Sequence, residues 1–210
     1  MSRVAIASGI VHSPIVNLPN SITVARLLMT GVFVAGAAQQ SLLGHWIALA
    51  AFVIAAISDF LDGYLARKLN LVTNMGKLLD PLADKILVSA AYIYLSATCL
   101  CPVWVTVVII GREFLVTGLR QLAVEAGQVI AADNLGKWKT TAQLSYCISC
   151  LLFIALQGMD STHSGLIFLV DLVGDKSWLQ PVTLWASLIL TVWSGWNYTW
   201  NARGLILKKG

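Results

Sequence analysis

The sequence predicts an all-α membrane protein: six transmembrane helices preceded by a short N-terminal interfacial helix. Three observations carry that expectation. The 210 residues are 58% hydrophobic and only 11% charged, about half the charged share of an ordinary soluble domain. Six apolar stretches are each long enough for a hydrocarbon core that takes about 20 helical residues to cross. Lys and Arg fall almost entirely on one side of the membrane that those stretches imply.

Residues 1–20 form the first segment, in which residues 4–16 read as a helix lying in the membrane interface. They lack the long apolar core and small-residue cleavage site of a removed signal. The six-helix domain spans 21–204, with apolar stretches at 21–39, 43–66, 78–99, 103–122, 140–158 and 180–201. Pro19-Asn20-Ser21, Gln39-Gln40-Ser41, Cys101-Pro102 and Gly158-Met159-Asp160 punctuate the joints. The longest connection, near 159–179, precedes the last span, and residues 205–210 form a basic cytoplasmic tail.

With the amino terminus in the cytoplasm, Lys176 alone among the 14 Lys and Arg residues falls on the far side. Arg26, Lys85 and Arg112 lie inside predicted spans, and setting them aside leaves ten cations against one. Both termini are therefore expected in the cytoplasm. Trp178, Trp185, Trp193, Trp196 and Trp200, in or beside the last span, read as belt or lipid-facing anchors. The formal charge of +4 does not mark a nucleic-acid partner, because the cations are scattered between apolar segments. Cys99, Cys101, Cys147 and Cys150 lack the spacing and histidine partners of a zinc site and read as small apolar helix residues. His12, His45 and His163 have no i,i+4 partner and stay outside the candidate site.

Four acids stand out against this apolar background. Asp59, Asp62, Asp80 and Asp84 lie at the end of the second span and the start of the third, in SDFLDGYLARKLNLVTNMGKLLDPLADK. A carboxylate at the bilayer centre costs at least about 2.5 kcal/mol even on lenient insertion scales, so four of them require a cavity, counter-charge or metal. At about 100° per residue, Asp59, Asp62, Gly63, Ala66 and Arg67 share an arc of about 140° on the second helix. Gly76, Asp80 and Asp84 drift by only about 80° on the third and form one stripe. The short link from Lys68 to Gly76 brings the two helices together as antiparallel neighbours. Oxygen-only ligands suit Mg²⁺ or Mn²⁺ rather than zinc, and two such ions can clamp phosphate oxygens. Gly63, Ala66 and Gly76 leave room for a ligand near the helix backbones, and Arg67 offers a planar fork to a phosphate.

The pattern D-x-x-D-G-x-x-A-R, eight residues, G-x-x-x-D-x-x-x-D is met at every fixed position: Asp59, Asp62, Gly63, Ala66, Arg67, Gly76, Asp80 and Asp84. It resembles the CDP-alcohol phosphotransferase family, and eight fixed positions match by chance on the order of once in 10¹⁰ windows. The resemblance implies a six-helix membrane fold, usually dimeric, in which an alcohol displaces CMP from a CDP-activated lipid. It also implies metal ligation by Asp59, Asp62, Asp80 and Asp84, with Asp84 as general base. Gly63, Ala66 and Gly76 would border the cytidine nucleotide, with Asp62 beside them, and Arg67 would hold its phosphate.

The acceptor is addressed by further segments. Asn17 to Arg26, including Asn20 and Thr23, resembles the family's approach to the first helix. Gly111-Arg112-Glu113, Val116 to Arg120, and Leu135 to Thr141 are similar to the branch of the family that forms phosphatidylglycerophosphate. That branch implies CDP-diacylglycerol and sn-glycerol 3-phosphate as substrates. Arg112 and Arg120 sit about 80° apart on one helix, and Lys137 and Lys139 start the next. Such a basic cluster is expected if the acceptor brings its own phosphate. The competing readings are that these cations enforce topology or hold lipid headgroups, and that Arg112 forms a structural ion pair with Glu113. An inner bacterial or organelle membrane, with the site facing the cytoplasm, is the expected location. Rival functions are a cardiolipin synthase or inositol-phosphate transferase of the same family, a divalent-cation transporter with a midplane site, or a non-catalytic scaffold.

Overall fold

The computed structural model describes the backbone of residues 18–69, 74–125, 127, 135–159, 164–174 and 177–207. Side chains are described for 24–58, 83, 85–124, 127, 135–159, 167–174 and 177–203. The interfacial helix expected at 4–16 lies outside the described residues. Within them the chain is entirely helical: α1 (Leu18–Ala38), α2 (Leu42–Leu69), α3 (Asn74–Ala97), α4 (Val103–Glu125), α5 (Leu135–Gln157), α6 (Ser164–Val173) and α7 (Leu179–Leu207). Six of these have 21 to 29 residues, and at about 1.5 Å per residue each reaches the roughly 30 Å of a hydrocarbon core. Among the described residues, α5 is long and apolar enough to qualify as a span on composition as well.

Two differences from the sequence reading have simple causes. α6 is a seventh helix inside the long connection before the last span. Its ten residues extend only about 15 Å, so a search for membrane-length runs passes over it. Helix ends also overrun the apolar stretches: α3 begins at Asn74, α5 at Leu135, and α7 continues to Leu207. Apolarity marks where a helix leaves the hydrocarbon, whereas helical hydrogen bonding continues through the polar turn beyond it.

Two tight turns, one between α1 and α2 and one between α3 and α4, are built from local chemistry. Gln40, in the left-handed region at φ 48°, ends α1, and Ser41 Oγ accepts a hydrogen bond from the Gly44 N–H at 3.0 Å, an N-cap for α2. Cys99 turns the chain at φ 60°. The N–H groups of Leu100 and Cys101 both return to the Leu95 carbonyl at 3.0 Å, satisfying the end of α3 before Pro102 opens α4. The backbones of α1 and α2 approach closely at Gly36 and Gly44. A Cβ on Gly44 would lie 2.6 Å from the Gly36 carbonyl oxygen, and one on Gly36 would lie 2.8 Å from that of Gly44.

α1 packs mainly on α2, and α5 on α7; α4 leans on α3 and α7, and α5 closes against α2. The centre holds Phe33, Phe52, Tyr92, Leu95, Ile109 and Tyr146, with Cys101, Cys147 and Cys150 as buried free thiols among them. Tyr92 and Tyr146 stack with centroids 5.8 Å apart, and their hydroxyls donate to Ser187 Oγ at 3.3 Å and the Leu100 carbonyl at 2.9 Å. The outside is the more conspicuously apolar surface. Leu28, Leu43, Ile54, Ile93, Val107 and Leu122 are exposed, as are Trp178, Trp185, Trp193, Trp196 and Trp200. Glu113, Lys139, Gln143, Ser187 and Thr191 are buried. Apolar residues outward and hydrogen-bonded polar residues inward is the arrangement a bilayer selects. Gly44→Ala, which forces α1 and α2 apart, is expected to destabilise the fold by about 1–3 kcal/mol, read as a lower unfolding midpoint in detergent.

Candidate active site

α2 runs unbroken through Asp59, Asp62, Gly63, Ala66 and Arg67, and α3 through Gly76, Asp80 and Asp84. Both stretches are thus helical, the condition on which their shared faces depend. Only residues 70–73 separate the two helices. The side chains of these eight residues, and those of Asn20 and Thr23 on α1, lie outside the described residues.

The described part of the site begins one residue after Asp84. Lys85 of α3 reaches Glu113 of α4, Nζ to Oε2 at 2.7 Å. Lys139 of α5 donates to Glu113 Oε1 in a short ion pair, and Arg112 Nη1 meets the same oxygen at 3.3 Å. Glu113 is only 3% exposed and Lys139 only 4%. One carboxylate thus gathers three cations from three helices, in a setting where an isolated charge is strongly penalised.

α7 supplies the seat for Arg112. Arg112 Nη2 donates to Ser194 Oγ at 3.0 Å, and the side chain lies across Gly195, where an added Cβ would stand 2.9 Å from Arg112 Cγ. Nε, over the same glycine, has no hydrogen-bond partner among the described residues. Two turns further along α4, the Arg120 guanidinium lies over the Tyr198 ring, 5.9 Å from its centroid. Residues 112 and 120 therefore meet residues 194–195 and 198 in the same order, and α4 and α7 run side by side in one direction. Gln143 Nε2 donates to Thr191 Oγ1 at 3.1 Å and ties α5 to this wall.

Of the residues expected to receive an acceptor phosphate, Arg112 and Lys139 meet on Glu113, and Arg120 stands lower on the same helix. Lys137 is exposed at the start of α5. Thr141 is also exposed, its hydroxyl donating to the Lys137 carbonyl at 3.1 Å. Arg26 is buried in α1, where its carbonyl accepts from Thr30 Oγ1 at 2.9 Å. Sequence reasoning did not place Lys85, Glu113, Ser194 or Gly195 in the site. In the sequence Lys85 reads as a topology signal, although it directly follows Asp84. Glu113, the one acid in VWVTVVIIGREFLV, reads there as a partner of Arg112. Nothing in the pattern of α7 singles out Ser194 or Gly195.

The described helices form an apolar bundle in which three cations meet on one buried carboxylate, the first of them directly after Asp84 on α3. The chain belongs to the CDP-alcohol phosphatidyltransferase family, whose model matches residues 16–193. It is 42% identical over 201 residues to the CDP-diacylglycerol–glycerol-3-phosphate 3-phosphatidyltransferase of Bacillus subtilis (strain 168), covering 89% of this chain and 96% of that protein. Proteins of the same name from Rickettsia felis and Haemophilus influenzae are 36% and 32% identical, covering 87% and 91% of this chain and 93% and 96% of their own lengths.

Gly195→Leu is expected to dislodge Arg112 and to lower CMP release in detergent-purified protein by about tenfold or more, the scale of a lost charged hydrogen bond. Combining it with Arg112→Ala should add little, because both changes remove the same contact.

Proposed function

We propose that this chain transfers the phosphatidyl group of CDP-diacylglycerol to sn-glycerol 3-phosphate, giving phosphatidylglycerophosphate and CMP. Relatives of that name that match nearly end to end support the reading. The observation that carries the choice of acceptor is the meeting of Lys85, Arg112 and Lys139 on Glu113, with Lys85 directly after Asp84 on α3. An acceptor that brings a dianionic phosphate uses such a cluster, whereas an uncharged alcohol has no need of it.

The donor set fits a divalent metal. Asp59, Asp62, Asp80 and Asp84 offer carboxylate oxygens alone, on two helices joined by a short link, and would hold Mg²⁺ or Mn²⁺, two ions being accommodated. Bound there, such ions supply charge neutralisation of the donor's pyrophosphate. Gly63, Ala66 and Gly76 leave space along the helices for the cytidine nucleotide, next to Asp62, and Arg67 pairs with its phosphate. Asp84 accepts the proton of the attacking glycerol hydroxyl, aided by Asp80 in the same stripe. The hydroxyl oxygen bonds to the phosphatidyl phosphorus as the bond from that phosphorus to the pyrophosphate bridging oxygen breaks, and CMP departs with the electron pair. Arg112 and Lys139, with Arg120 and Lys137 nearer the cytoplasm, orient the acceptor's own phosphate, and Asn20, Thr23, Arg26 and Thr141 border the approach. Positioning and charge stabilisation carry most of the rate.

α1 to α5 and α7 are the six spans in this reading, with the site at the cytoplasmic face of a bacterial inner membrane or an organelle membrane and two copies forming a homodimer. Purified protein given CDP-diacylglycerol, labelled glycerol 3-phosphate and Mg²⁺ is expected to yield a labelled lipid and CMP in equal amounts. Turnover with another alcohol and none with glycerol 3-phosphate would reject the assignment. Chelation by EDTA should stop CMP release and added Mg²⁺ or Mn²⁺ restore it; metal flux without CMP would point to a transporter. Asp80→Asn should lower the rate by at least about a thousandfold, since its loss would touch both metal and base, while helical circular dichroism stays unchanged.

A further inference from the structure

We infer that Glu113 is a positioning residue for the acceptor phosphate, holding Lys85, Arg112 and Lys139 as one preorganised cationic unit beside the aspartate stripe. The inference rests on the reading that these cations face glycerol 3-phosphate, and it adds the group that arranges them.

The geometry differs from that of a simple buried ion pair. A pair needs one cation for its carboxylate, whereas Glu113 divides its two oxygens among three: Oε2 to Lys85 at 2.7 Å, and Oε1 to both Lys139 and Arg112. Each cation comes with a different structural tie. Lys85 follows Asp84 on α3 and fixes that helix at the residue next to the proposed base. Lys139 belongs to the first turns of α5. Arg112 is anchored on α7 through Ser194 and the bare face of Gly195. Three like charges on flexible stems repel one another and disperse unless a fixed anion organises them. Glu113, only 3% exposed, is held by α4 and has little freedom of its own. Substrate phosphate then meets cations already in place, with less ordering left to do on binding.

Glu113→Gln keeps the shape and removes the charge. The KM for glycerol 3-phosphate is expected to rise about tenfold or more, the scale of losing an organised charged hydrogen bond, while the KM for CDP-diacylglycerol stays within about twofold. Glu113→Asp, with the charge kept, should recover part of that rise. In a Lys139→Met background, Glu113→Gln should add less than it does in the native chain, because part of its effect runs through the lysine and the rest through Lys85 and Arg112. A folded Glu113→Gln protein with an unchanged KM for glycerol 3-phosphate, or with both KM values and kcat worsened in parallel, overturns the inference. If Glu113→Gln does not fold, Glu113→Asp alone decides: a selective rise in the glycerol 3-phosphate KM supports the inference, and none overturns it. Lys139→Met distinguishes the two levels. If it leaves the glycerol 3-phosphate KM unchanged, the acceptor-site reading falls and the inference with it; if it raises that KM and the Glu113 variants do not, the inference alone falls.

Discussion

The rest of the structure depends on how ionised groups are satisfied inside an apolar bundle. A buried charge without a partner is penalised by several kcal/mol or more, so each ionised side chain in the interior dictates where its neighbours stand. Glu113 shows this most directly. Its carboxylate draws Lys85 from α3 and Lys139 from α5, while Arg112 carries the contact on to α7 through Ser194. Four helices are thereby referred to one point. A fold held by hydrophobic packing alone leaves helix rotation loosely defined, because lipid tails and side chains are similarly apolar. A shared carboxylate fixes that rotation.

Away from this point, close backbone approach and neutral hydrogen bonds do the same work at lower cost. Gly36 and Gly44 let α1 and α2 touch, gaining dispersion contacts that larger side chains would prevent. Tyr92 to Ser187 and Gln143 to Thr191 pin α7 against α3 and α5 without burying charge. Among the described residues the molecule is thus divided into an end that is tied by neutral contacts and turned by Gln40 and Cys99, and a region around Glu113 and Arg120 where charge collects.

Much of this was legible in the sequence. Composition and hydropathy marked six long helices, and the stretches that carry Asp59, Asp62, Asp80 and Asp84 are helical, because helical pattern can be read without knowledge of tertiary contacts. Arg112 and Lys139 were legible as cations in unusual places. Their meeting on Glu113 was not, since residues 85, 113 and 139 are joined only by packing between helices and no local period links them. Arg112 shows the difficulty well. A phosphate ligand and a structural ion pair are competing explanations of its sequence setting, yet the structure puts Arg112 in an ion pair and beside two more cations at once. Gly195 was illegible for a related reason: its importance lies in the Arg112 side chain that crosses it, not in any turn or positive φ.

That Arg112 and Lys139 are held by Glu113 is compatible with the phosphate recognition proposed for them. A carboxylate accepts through a limited set of lone pairs, and a lysine ammonium has three donors and an arginine five. Three cations sharing two oxygens therefore bring more donors than one carboxylate can accept. A phosphate, with several acceptor oxygens and double charge, can complete the surplus without displacing the glutamate. The same carboxylate that makes burial of three cations tolerable thus keeps them close enough to act together, so the structural role and the proposed recognition role are compatible in one cluster.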